Sequence, residues 1–155
     1  MKFSCPLYAV RSIAAARTFY EQVLGQTVVM DAGTNLSFAG GFALQEDFPG
    51  LCGFPAEKLI PSAHNAELYF ETEDLEGDMR RLSAAGVTFL HGPKEYPWGQ
   101  CVARFYDPDG HIVEVGESMS SVVLRFLSQG LTEEETARRT QHPLEFVRAC
   151  RQGRI

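Results

Sequence analysis

The sequence predicts an α+β fold in which one β-α-β-β-β unit is written twice and a helical segment follows. Three observations carry this. Short runs of strand-like alternation recur in the same order in both halves, one amphipathic helix follows the first run of each half, and a glycine ends each helix. The spacing agrees between halves: 20 positions separate Cys5 from Gly25 and 19 separate Glu67 from Gly86.

In the first half, residues 5–10 alternate as a short strand. Ser12 is placed to cap a helix through Leu24, along which Ile13, Ala16, Phe19, Tyr20 and Val23 form one apolar stripe. Strands follow at 27–30, 36–39 and 42–45. The segment 47–63, with Pro49, Gly50, Gly53, Pro55 and Pro61, reads as a linker between modules and a cover for the site. The second half repeats the order, with a strand at 67–72, a helix at 74–85 and strands at 87–90, 101–106 and 112–116. Three helices are expected in the tail, near 121–129, 132–139 and 143–151, with Thr132 and Glu135 as a capping box. The expected organisation is a domain over 1–119, with modules at about 3–47 and 64–118, and a helical extension over 120–155.

Composition narrows the function. With 45 % hydrophobic residues among 155, the chain can bury a core. Net charge is −6, and it is uneven: residues 1–119 carry 16 acidic and 8 basic side chains, and 120–155 carry 4 and 6. Such a body repels nucleic acid, and nucleic acid is not an expected partner. No apolar run is long enough to span a membrane, and Arg11 and Arg17 interrupt any signal-like stretch. Cys5, Cys52, Cys101 and Cys150 lack paired spacing, so free thiols and a cytoplasmic setting are expected.

The stretch from Arg104 to Val115 reads as two strands joined by Asp107-Pro108-Asp109-Gly110. Pro108 presets its φ, Gly110 supplies the positive φ of a tight hairpin, and Glu114 falls mid-strand, opposite in parity to Val113 and Val115. This stretch resembles the end of a glyoxalase / bleomycin-resistance / extradiol-dioxygenase domain, of the vicinal oxygen chelate superfamily. Phe19-Tyr20-Glu21-Gln22-Val23-Leu24-Gly25, Tyr96-Pro97-Trp98-Gly99 and the duplication extend the resemblance over roughly residues 3–117.

The resemblance implies paired modules whose curved sheets form a cup, and a homodimer. It maps the family's metal positions onto Cys5, Gln45, Glu67 and Glu114, a set without histidine that matches no divalent metal well. No cofactor is therefore expected, with a divalent metal as the alternative. Strand parity puts Glu67, Tyr69 and Glu71 on one face and Leu68 and Phe70 on the other. Tyr69, Glu71, Trp98, Cys101 and Phe105 are the expected ligand contacts, Cys101 and Phe105 by an assumed cavity-facing parity. His64, His91, His111 and His142 read as loop or turn residues.

The leading expectation is a small-molecule-binding protein that sequesters a cationic or planar compound against an acidic wall. The alternative is a metal-dependent lyase or isomerase of the glyoxalase type, with Glu67 or Glu114 moving the proton. The tail is similar to helix-turn-helix segments, which gives a ligand-sensing regulator as a third reading.

Overall fold

The computed structural model describes residues 1–155. The chain forms two compact units, Met1–Ala66 with Tyr106–Ile112, and Glu67–Phe105 with Val113–Ile155.

In the first unit, β1 (Leu7–Val10) leads into α1 (Ile13–Thr18), which continues as a π-helical turn over Phe19–Val23. The strands β2 (Val28–Asp31), β3 (Asn35–Phe38) and β4 (Ala43–Glu46) complete a sheet of order β1-β4-β3-β2. β1 runs parallel to β4, with Ala9 opposite Gln45, and the other pairs are antiparallel. Ser12 caps α1 by accepting from the Ala15 N–H, and Glu46 Oε2 accepts the Ile13 N–H at 2.7 Å. Thirteen positions separate Ser12 from Gly25, whereas twelve separate the matching cap Asp74 from Gly86. The wider π turn absorbs the extra residue.

Tyr20, fully buried, packs against Phe38 and Phe42 with ring centroids 5.6 and 5.5 Å away. Its hydroxyl donates to Asp107 Oδ2 at 2.9 Å. The other Asp107 oxygen accepts the backbone N–H groups of Asp109 at 2.9 Å and His111 at 2.8 Å. A buried carboxylate thus organises the hairpin turn and ties it to the first helix. The linker holds two helical turns that its Pro and Gly content did not suggest, α2 (Phe48–Cys52) and a 3₁₀ turn at Ala56–Lys58. Asp47 makes α2 possible by accepting the Gly50 N–H.

The second unit repeats the order with β5 (Glu67–Thr72), α3 (Leu75–Ala84), β6 (Phe89–Glu95), β7 (Cys101–Tyr106) and β8 (Ile112–Glu117), in a sheet of order β5-β8-β7-β6. The strand expected at 87–90 starts later and runs on through Pro93. An edge strand with an irregular register between His91 and Lys94 tolerates the missing N–H.

The tail folds as α4 (Met119–Ser128), α5 (Glu133–Thr140) and α6 (Leu144–Arg151), within two residues of the expected bounds and with the capping box in place. Val123, Val147 and Cys150 form its core. α4 docks on the second sheet, where Arg125 donates to the Gly99 carbonyl at 2.7 Å and to Glu117 at 2.9 Å. No helix is long and apolar enough to cross a membrane.

Candidate ligand site on the second sheet

Alternation along β5 exposes Glu67, Tyr69 and Glu71 on one face and buries Leu68 on the other, as expected. On β8, Val113 and Val115 are buried in the core and Glu114 is only 8 % exposed. The element that brings the two carboxylates together is Arg104 on β7. Its Nε donates to Glu67 Oε2 at 2.8 Å, its Nη1 to the Tyr96 hydroxyl, and its Nη2 pairs with Glu114 Oε2. Oε2 of Glu114 makes no aligned hydrogen bond, so that contact is ionic rather than directional. Nη1 also approaches His91 Nε2 at 3.3 Å. His91 Nδ1 must donate to the Gly92 carbonyl at 2.8 Å, which leaves Nε2 as the acceptor that the guanidinium needs.

The site's electrostatics differ from the bare acidic wall expected from sequence. Arg104, 2.8 Å from Glu67 and paired with Glu114, offsets part of the carboxylate charge. Burial pushes the Glu114 carboxyl up from its ordinary value, with Glu67 adding to the rise and Arg104 opposing it. The hydrogen bond to Glu67 raises the Arg104 guanidinium further, against the opposing effect of burial.

A second network fixes the aromatic side chains. Gln100, 5 % exposed, accepts from Trp98 Nε1 at 3.0 Å and donates to the Tyr69 hydroxyl at 2.8 Å and the Glu117 carbonyl at 2.7 Å. Tyr69 in turn donates to Glu71 at 2.9 Å. Burial pushes the Tyr69 phenol up to about 12, with Glu71 adding to the rise and Gln100 opposing it. Trp98 stacks on Tyr96 at 4.9 Å, and the Arg104 guanidinium lies over the Tyr96 ring at 5.6 Å.

Glu67, Tyr69, Glu71 and Glu114 are therefore gathered on one unit, with Trp98 joined to them through Gln100. Cys101 and Phe105 carry a correction: they alternate with Gln100 and Arg104, so the parity assumed for them was off by one. Phe105 is fully buried and packs edge-on to Phe89 at 6.1 Å. Cys101 lies beside Glu117, its thiol pushed up by burial and by that carboxylate, which disfavours the nucleophilic form.

Cys5 and Gln45 belong to the first unit. Cys5 precedes β1, and the Gln45 amide is committed to Asn35 at 3.0 Å and the Glu46 carbonyl at 2.6 Å. Arg104, His91 and Gln100 were missed. The alternation that runs from Gln100 into β7 and puts Gln100 and Arg104 on one face was the available signal. No three His, Cys, Asp or Glu side chains gather in a way that could hold a metal ion.

A sequence model of the glyoxalase-like domain matches residues 3–120. A protein of unknown function from Agrobacterium tumefaciens str. C58 is 37 % identical, with 76 % of this chain and 94 % of that one covered and a TM-score of 0.65. A glyoxalase/bleomycin resistance protein/dioxygenase from Nocardioides is 23 % identical over 76 % of this chain and 83 % of that one, TM-score 0.60. A glyoxalase/bleomycin resistance protein/dioxygenase family enzyme from Burkholderia phytofirmans PsJN is 19 % identical over 74 % and 96 %, TM-score 0.65. The last two likenesses bear on fold alone. No curated protein matches the chain.

Proposed function

The chain belongs to the glyoxalase-like domain family of the vicinal oxygen chelate superfamily, and from that premise we propose that it binds a small, planar, positively charged organic molecule on the polar face of its second sheet, without a resident divalent metal. The observation that carries this is Arg104 between Glu67 and Glu114. A fixed cation stands where two carboxylates would otherwise share a metal, and a metal bound there must displace it, so the donor set does not fit one.

Glu71, bonded to Tyr69, adds a third carboxylate to Glu67 and Glu114, against the Arg104 guanidinium and the Lys94 ammonium over the Tyr96 ring at 5.5 Å, and the remaining negative charge favours a cation. Tyr69, 45 % exposed, and Trp98 offer ring faces already locked by hydrogen bonds, so little side-chain freedom is lost on binding. The regulator reading finds little support in the tail. Arg148 and Arg151 both pair with Glu133, at 3.0 and 2.8 Å, and are not displayed for phosphate. Exposed Val29 and Met30 on edge strand β2 and Leu90 on edge strand β6 support a homodimer, and four free cysteines suit a cytoplasmic setting.

The test uses Trp98, the only tryptophan. Titration with 9-aminoacridine, a planar cation, should quench its fluorescence saturably. The planar anion acridine-9-carboxylate should bind about tenfold more weakly or worse, which is about 1.4 kcal/mol. Equal binding of the two would overturn the charge argument. Tightly held stoichiometric metal in protein purified without chelator, stripped by Glu114→Gln, would put the metal-dependent lyase in its place.

A further inference from the structure

A separate pocket of about 390 Å³ lies entirely within the first unit, walled by Leu7, Phe48, Leu59 and Ile60 and edged by Lys58, Ser62, His64, Asn65 and His111. Its size suits a small organic ligand. In a chain of net charge −6, no Asp or Glu lines it. Asp109, next to the lining Gly110, is turned to Arg11 at 2.8 Å.

The polar edge is built rather than incidental. Ser62 and His64 both hold left-handed backbone, with φ of 53° and 54°, a conformation that side chains other than glycine rarely adopt. Each is pinned where it stands. Ser62 Oγ occupies the space a side chain at Gly110 would need, and the His64 ring stacks on Tyr106 at 5.5 Å. His111 Nε2 can only donate to the Ala9 carbonyl, at 2.7 Å, so Nδ1 accepts in the neutral ring and donates in the charged one. The Tyr8 ring holds this imidazole edge-on at 5.6 Å. Ile60, 71 % exposed, leaves apolar surface open at the rim.

We propose that this pocket binds a small organic monoanion with an apolar body, its carboxylate set among Lys58, Ser62 and His111 and its hydrocarbon part against Leu59 and Ile60. The Lys58 ammonium favours a carboxylate over an uncharged head of the same shape, and His111 Nδ1 adds a donor only when the ring is charged.

The experiment is a ¹⁵N-resolved NMR titration of the full chain with octanoate and, separately, with neutral octanamide. Octanoate should shift the backbone signals of Ser62, His64 and Gly110 saturably, and octanamide should bind several-fold more weakly. Lys58→Gln, at an exposed position where folding is not at risk, should remove most of that preference. His111→Gln should weaken octanoate while its unshifted spectrum elsewhere confirms the fold. Equal affinity for the two probes, shifts confined to the second unit, or no shift at all would overturn the proposal. None of these outcomes touches the titration with planar cations on the second sheet.

Discussion

The Arg104 guanidinium is ion-paired with Glu114, whose side chain is 11 % exposed against 21 % for its partner. Removing one partner of such a pair leaves the other charge buried. Arg104→Met should therefore lower stability by about 3 kcal/mol near neutral pH, read as a fall in the urea midpoint without a change in slope.

The same pair gives a pH test. Glu114 has a folded-state pKa raised above its unfolded value, mainly by burial. Its folded form binds more protons in that window, so its contribution to stability is present below the ordinary carboxylate value and is lost as pH rises through the raised one. Glu114→Gln should flatten that part of the stability profile. In Arg104→Met the carboxyl loses its opposing cation and rises further, so the deficit of this variant should shrink on acidification. A deficit that grows as pH falls would contradict the assignment.

Tyr20→Phe deletes one buried hydrogen bond and leaves Asp107 with its two backbone donors. The expected loss is about 1–2 kcal/mol. Asp107→Ala leaves the Tyr20 hydroxyl and both turn N–H groups without their acceptor, so it should cost more than Tyr20→Phe when both are unfolded in urea.

Tyr69 offers a spectroscopic check on the aromatic network. Glu71 accepts its proton and helps hold the phenol up at about 12, whereas the Gln100 amide favours the phenolate. In an ultraviolet pH titration Glu71→Gln should lower that midpoint. Gln100→Leu should raise it and also lower the fluorescence anisotropy of Trp98.

Gly99 has φ of +89°, and a Cβ there would clash with Cζ and Cε2 at the edge of the Phe126 ring of α4. Gly99→Ala combines backbone strain with a steric clash and should cost about 2–4 kcal/mol. The change should appear as thermal destabilisation with loosened α4, seen as faster amide exchange at Val122 and Val123.

The order of strands and main helices, the caps at Ser12 and Thr132, and the inside-outside sense of β5 were legible in the sequence. Each follows from periodicity or from a side chain bonding to backbone within a few residues. The duplication was legible too, and its one-residue mismatch proved to be the π turn at Phe19–Val23. Tertiary structure alone decided the chemistry of the site. That Arg104 stands between Glu67 and Glu114 depends on the pairing of β5, β8 and β7, and Arg104 lies 37 residues from Glu67 along the chain. Sequence parity is local, and a one-residue error in β7 was enough to expect Cys101 and Phe105 where Gln100 and Arg104 lie. The charge of the site is thus a property of strand register, which no single strand encodes.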